Sequence, residues 1–270
     1  MTRALLAFTL LACGCHKDDL VDSDITDSSG GGDSGAEELC DGEDADGDGF
    51  LPCRQALWVN TIDLDLQGPG YGLSKPLAVE AVGLLEALDV GVTWTELSSA
   101  APWTDELNDV GLLVLQGDWT LGGLTAADAT ALESWVNEGG SLLWLGQHPM
   151  KSSCDAVNAL PNTFGVSCDN PDYSYWDGST TTFMEHEVTE GLVEIVGHGG
   201  DKWTFANPAQ ELASVNGSTF VAVVEHGAGR VVFVSDEWPF YNAGTDGAYD
   251  ISAANNKQLV ENIWGWMVRD

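Results

Sequence analysis

At 270 residues with 44% hydrophobic content, the chain is long enough to bury one good core and to form one or two domains. Forty-three Asp and Glu against nine Lys and Arg leave a formal charge of −34, which repels phosphate backbones and anionic lipid surfaces and so argues against nucleic acid as a partner. The same acidic excess suits a solvated surface and attracts divalent cations.

Residues 1–15 pair one positive charge, Arg3, with a short apolar run that ends in small residues. That pattern reads as a secretory signal and is too short for a membrane span. Its end, Leu10-Leu-Ala-Cys13, resembles a bacterial lipobox, so Cys13, with Cys15 as second candidate, is the expected lipidation site. The reading implies an exported protein, anchored by lipid to the cell envelope. Residues 16–38 are Asp, Ser and Gly with almost no apolar side chain, a composition that cannot fold alone and serves as a tether.

Residues 39–55 contain Asp44-Ala-Asp46-Gly-Asp48-Gly49-Phe50 between Cys40 and Cys53. Carboxylates at alternate positions of a tight loop can converge on one hard cation, Gly49 permits the turn, and Phe50 can offer its carbonyl. The loop resembles those of EF-hands, dockerins and thrombospondin type 3 repeats, which implies Ca2+ at Asp44, Asp46, Asp48 and Phe50. Gln55 stands where an EF-hand has its bidentate Glu, so the thrombospondin-like form is the better match. In an oxidising compartment the cysteines outside the lipobox, Cys40, Cys53, Cys154 and Cys168, allow three pairings. The simplest joins Cys40 to Cys53 and Cys154 to Cys168.

The globular domain is expected over 56–270. Leu57 to Leu66 reads as a first strand, and a helix follows Pro76 with Leu77, Ala81, Leu84, Leu85 and Leu88 on its inner stripe. Val92 to Leu97 makes the next strand. Gly111 to Asp118 and Ser141 to Gly146 are apolar runs bounded by Gly, as strands buried on both faces should be. Between them Ala129, Leu132, Trp135 and Val136 recur at helical spacing. Thr125 and Asp128 form a capping-box pattern, and Gly139-Gly140 supplies a left-handed stop. Strand, helix, strand in this order implies a parallel sheet, whose ligands bind beyond the carboxyl ends of the strands, here near Asp118, Trp119, Gln147 and His148.

From Gln147 to Asp201 the pattern loosens into a long excursion with one or two short strands, such as Val193 to Val196. Thr219 to Val224 and Arg230 to Ser235, joined by a short Gly-rich link, predict an antiparallel hairpin. A last helix from about Ser252 carries Leu259, Val260, Ile263, Trp264 and Met267 inward. The expected class is therefore α/β, a Rossmann or flavodoxin-like three-layer sandwich with a mainly parallel sheet and a C-terminal antiparallel hairpin.

The order of segments carries a resemblance. Leu124-Thr followed by Leu132-x-x-Trp135-Val, Gly139-Gly140 and Leu142, then Gly227-Ala-Gly-Arg230-Val-Val232, then Asp236-x-x-Pro239-Phe240-x-Asn242 and the Trp-containing last helix resemble the class I glutamine amidotransferase-like superfamily. The similarity is to a bacterial branch that includes the domains of gliding-motility and intraflagellar-transport proteins. Asp236 also follows an apolar strand, so Asp236, Glu237 and Asn242 join Asp118, Trp119, Gln147 and His148 as candidates for a pocket at the strand ends. The resemblance implies a nucleophilic Cys in a tight turn, but that turn reads Gly146-Gln-His-Pro-Met150, with no thiol or hydroxyl at the bend. An acyl-transfer mechanism lacks its first step there, so the resemblance implies a non-catalytic relative.

Weaker constellations are Glu185-His186-Glu187 and His198-Gly-Gly-Asp201, which read better as surface than as metal ligands. Among the eleven Trp, Trp119, Trp176, Trp203 and Trp238, with Tyr173 and Tyr175, fall in expected loops where rings can stack on sugars, whereas Trp135, Trp144 and Trp264 read as core. The expected function is a lipid-anchored, non-enzymatic domain that holds a glycan or protein partner at the cell surface. The alternative is a hydrolase using Asp118, Asp236 or Glu237.

Overall fold

The computed structural model describes residues 55–60, 75–96, 107, 110–116, 125–148, 154–170, 172 and 174–269, all within the compact unit Ala36–Asp270. The expected lipidation cysteines, the tether, the Asp loop with Cys40 and Cys53, and Asp118 and Trp119 lie outside these residues.

In chain order the main elements are β1 (Gln55–Asn60), α1 (Val79–Glu86), β2 (Gly91–Glu96), β3 (Leu112–Gln116), α2 (Ala126–Asn137) and β4 (Ser141–Leu145). Then come α3 (Cys154–Asn158), β5 (Val166–Cys168), β6 (Trp176–Thr180), β7 (Ile195–Gly200), β8 (Trp203–Phe205) and β9 (Gln210–Val215). The chain finishes with β10 (Ser218–His226), β11 (Gly229–Val234) and α4 (Asn256–Val268). The class is mixed α/β. Seven strands form one sheet in the order β2-β1-β3-β4-β11-β10-β9. Pairing is parallel from β2 through β11 and antiparallel from β11 through β10 to β9.

Every residue of β3 and β4 is buried, as their uninterrupted apolar sequences require when both faces are covered. The pleat sends alternate residues to opposite sides. Trp58, Val114, Leu143 and Val232 pack with α1 and α4, whereas Leu57, Leu113, Leu142 and Phe233 pack with α2. On the first face Trp58 stacks on Trp94 at 4.8 Å and meets the edge of Trp264 at 6.0 Å, and Trp264 Nε1 donates to the carbonyl of Ala81 at 3.0 Å.

The capping box at α2 is present in both directions: the Asp128 amide donates to Thr125 Oγ1, and the Thr125 amide donates to Asp128 Oδ2. Gly139 ends the segment with φ 117, while Gly140 is required for another reason, since a Cβ there would lie 2.3 Å from the Trp135 ring. The expected hairpin is β10 and β11, and it begins earlier and is wider than the apolar run alone indicates.

The excursion after β4 is more regular than its sequence indicates. A disulfide joins Cys154 to Cys168, tying α3 to β5. β6 and β7 form an antiparallel ribbon, β5 pairs with β8, and β9 extends the main sheet. The strand expected at Val193 to Val196 instead runs through Gly197-His-Gly-Gly200. Glycine there reads as a breaker, but a Cβ on Gly200 would lie 2.2 Å from Trp176, and one on Gly197 would lie 2.4 Å from Asp236 Oδ2. The glycines let the strand pass under a Trp and a carboxyl group.

Candidate functional site

β1, β3, β4 and β11 run in one direction, so their carboxyl ends share one edge of the domain. The chain leaves that edge as Gly146-Gln147-His148 after β4 and as Ser235-Asp236-Glu237 after β11. Gly146 is packed so closely that a Cβ would lie 2.6 Å from the Ser235 carbonyl oxygen. The β6–β7 ribbon and the turn into β8 fold back onto these two ends. The Asp201 amide donates to the Ser235 carbonyl at 2.8 Å, and Trp176 Nε1 donates to the Asp201 carbonyl at 3.0 Å and to Ser235 Oγ at 3.2 Å.

Asp236 is the buried hinge of this arrangement. Its Oδ2 accepts from the His198 amide at 2.7 Å and its Oδ1 from the Trp238 amide at 3.2 Å. Burial pushes the carboxyl up to about 8 against the pull of those two amides, and the carboxylates of Asp177 and Asp201 push the same way as burial. Glu237 is also buried, with Oε2 accepting from Gln147 Nε2 at 3.1 Å and Oε1 from the Tyr241 hydroxyl at 2.8 Å. Asn242 serves α1 instead: its Oδ1 accepts from the Glu80 amide and its Nδ2 donates to the Pro76 carbonyl. Of the residues expected to share a pocket, Gln147 and Glu237 meet directly, Asp236 turns toward β7, and Asn242 faces the start of α1.

Outward of Asp236 lies a polar and aromatic face. Asp177 Oδ1 accepts from the Gly199 amide at 2.6 Å and lies 3.0 Å from His198 Nδ1, both side chains being 42% exposed. The His198 ring stacks on Tyr249 at 4.7 Å and meets the edge of Trp238 at 6.0 Å. His148 packs on the backbone of Gly199 and lies 4.4 Å from the ring of Tyr175, which is 46% exposed. Two His–Tyr pairs thus flank the Asp177–Gly199 contact.

The rings expected to be available in loops divide differently. Trp176 and Trp203 are core residues, against Phe220 and Phe233 respectively, because the ribbon and β8 cover them. Trp238 is half-buried and stacks on Tyr241, Tyr175 is open, and Tyr173 lies outside the described residues. Asp177 and Tyr249 were not legible as site residues. Asp177 is marked only by its place opposite His198 in the β6–β7 register, and Tyr249 carries no sequence signal.

Glu185, His186 and Glu187 line a separate open cavity of about 560 Å3 with Phe183 and Leu192. There His186 Nδ1 accepts from the Val188 amide at 3.1 Å, burial lowers the pKa of the imidazole, and Glu187 pairs with Arg269. Among the described residues no group of three His, Cys, Asp or Glu side chains is placed to hold a metal ion, and no helix is long and apolar enough to cross a membrane.

Residues 80–263 match the family described as a domain of unknown function, DUF4350, and the chain belongs to that family. No curated protein matches the sequence significantly. Among solved structures the fold is similar to Cytoplasmic Protein STM1381 from Salmonella typhimurium LT2, at 15% identity and TM-score 0.55, covering 80% of this chain and 100% of that one. It is similar to Cytoplasmic Protein STM3548 from Salmonella typhimurium, at 14% identity and TM-score 0.56, with the same coverage. The mmIFT52 N-terminal domain aligns at 12% identity and TM-score 0.56, over 79% of this chain and 98% of that one. At these identities the likeness is one of fold.

Two expectations are corrected by these matches. The family is DUF4350 and not the glutamine amidotransferase-like superfamily, whose resemblance rested on the order of loosely spaced segments. Such an order follows from alternating strands and helices in general, and carries little family information. The exported, lipid-anchored localisation is corrected as well, because the Salmonella proteins of this fold are cytoplasmic by name, which points against it.

Proposed function

From the geometry of the strand ends, we propose that the chain is a ligand-binding domain without catalytic activity, and that it holds a glycan on the face bearing Tyr175, Asp177, His198 and Tyr249. In its finer architecture we read the sheet and its covering helices as a three-layer sandwich of Rossmann or flavodoxin type. The observation that carries the reading is the His198–Tyr249 stack beside Asp177, together with the tilted His148–Tyr175 pair against Gly199, which offer ring faces to a sugar and a carboxylate to its hydroxyls. At the carboxyl ends of β4 and β11 the strand edge is covered by the ribbon, where Trp176 donates to the Asp201 carbonyl and to Ser235 Oγ. A protein partner at the same face is the other outcome of the test, and phosphate-rich partners are disfavoured by the charge of −34.

A screen of immobilised oligosaccharides, followed by calorimetry, tests this. Tyr175→Ala and Tyr249→Ala should each weaken binding about tenfold, the loss of one stacking contact. Retention of full affinity in both would sink the assignment of the face.

One observation favours the hydrolase alternative: Asp236 is a buried carboxyl that holds its proton near neutrality beside a His–Asp pair. Turnover of any ester or glycoside in a substrate panel, abolished by Asp236→Asn or Glu237→Gln with folding intact, would establish it over the binding reading. Calcium at Asp44, Asp46, Asp48 and the Phe50 carbonyl is a separate proposal, resting on the spacing of the loop. Calcium should raise the melting temperature, and Asp46→Ala should remove that rise.

A further inference from the structure

The open cavity lined by Phe183, Glu185, His186, Glu187 and Leu192 is built on a contact that only a neutral imidazole can make. We infer that this segment is a pH-operated device, in which neutral His186 holds the cavity wall in its present form and protonated His186 releases it. The wall contains one 3-10 turn, Glu187–Thr189, and His186 is its N-cap. The backbone at His186 is extended, so the side chain reaches back to the amide two residues on, and Nδ1 accepts from the Val188 N–H at 3.1 Å. An accepting Nδ1 needs a lone pair, which leaves the ring's proton on Nε2. The imidazolium has an N–H at both positions and no acceptor, so protonation sets two donors against each other at Val188.

The ring is half-buried and meets the edge of Trp266 in α4 at 5.1 Å, and Arg230 of β11 lies 5.5 Å from the same Trp266 ring. Burial lowers the pKa of His186 and outweighs the opposing pull of Glu187 on the turn and Glu225 on β10. Glu187 is itself paired with Arg269 at the end of α4, and Glu185 and Glu190 are the other charged groups of the cavity lining. The folded turn therefore resists the proton: its contribution is full above the ordinary value of 6.5 and is lost as pH falls from there toward the lowered value. The remaining bonds of the segment involve no titrating group. The Met184 amide donates to the Leu212 carbonyl of β9, Thr189 Oγ1 donates to the Met184 carbonyl, and Asn262 of α4 donates to the Val188 and Glu190 carbonyls at 3.2 and 2.9 Å. These hold both ends of the segment in place, so what gives way is the His186 ring and the start of the turn. A cavity lined by three Glu then gains a cation at its wall.

NMR of the full chain tests this by following the His186 ring and the Val188 amide between about pH 8 and pH 5, with hydrogen exchange at Val188 corrected for its intrinsic pH dependence. The Val188 resonance should shift with the midpoint of the His186 ring, below 6.5, and its protection should fall about five- to tenfold, the loss of one cap. In His186→Asn the side-chain oxygen accepts from the Val188 amide without titrating, so protection should stay at its neutral value across the range. A Val188 amide that ignores the His186 midpoint in the native chain overturns the inference, with no variant needed. A fall in protection that persists in His186→Asn overturns it too, and would place the titrating group in the Glu187–Arg269 pair or beyond.

Discussion

β4 and β6 are each five residues long, and they differ in how they earn their place. β4 buries all five residues, whereas β6 buries only its two ends, Trp176 and Thr180, and exposes Asp177 and Ser179. The parallel strands are held by many interchangeable apolar contacts on two faces. The β6–β7 ribbon is held by a few specific ones: the Trp176 indole over two glycines, the Asp236 carboxyl under His198, and the Asp177 carboxyl on Gly199. The first kind of region tolerates rearrangement, and the second depends on single groups. This is also why the ribbon, and not the sheet, presents polar side chains in fixed positions.

The largest expected effect tests whether the ribbon is as integral as the sheet. Trp144→Ala and Trp176→Ala should each cost about 3–5 kcal/mol in chemical denaturation, since both rings are almost wholly buried. A loss below about 1 kcal/mol for Trp176→Ala would show the ribbon to be a detachable cover.

Next comes pH. The Asp236 carboxyl is raised to about 8 in the folded chain, mainly by burial, against an ordinary value of 3.8. Between these values the folded state keeps a proton that the unfolded state has released, so the contribution to stability is full below pH about 4 and is lost as pH rises toward 8. The unfolding free energy from denaturation curves should fall over that window by about a few kcal/mol. Asp236→Asn should flatten the slope, and an unchanged slope in that variant would locate the effect elsewhere.

A glycine pair sharpens the comparison further. Gly200→Ala places a Cβ against the Trp176 indole and should cost about 1–3 kcal/mol. Gly83→Ala, in α1 with nothing within 4 Å, should stabilise by about 0.5–1 kcal/mol. Equal effects at the two sites would mean that the close approach at Gly200 relaxes freely. A change of similar size concerns a feature of the sheet region that also depends on a single group. Thr125→Ala removes the acceptor for the Asp128 amide and should lower the melting temperature, at about 1 kcal/mol.

Much of the fold was legible from residue order because its signals are local. The runs of β3, β4 and β11, the Thr125–Asp128 box and the inner stripe of α4 each depend on neighbours within a turn or on strand periodicity, and each stands close to its expected place. The pairing of Cys154 with Cys168 followed from their nearness in the chain. Spacing in one dimension could not show that Gly197 to Gly200 is a strand, since the Trp and carboxyl groups that require those glycines come from residues 176 and 236. Nor could it place Trp203 in the core, bring Tyr249 onto His198, or turn Asn242 away from the strand ends to α1. By itself the sequence determined which segments bury apolar surface. Tertiary structure alone decided which distant polar groups stand together, because contacts such as those of Asp236 with His198, Asp177 with Gly199 and Gln147 with Glu237 join parts of the chain whose separation leaves no periodic trace.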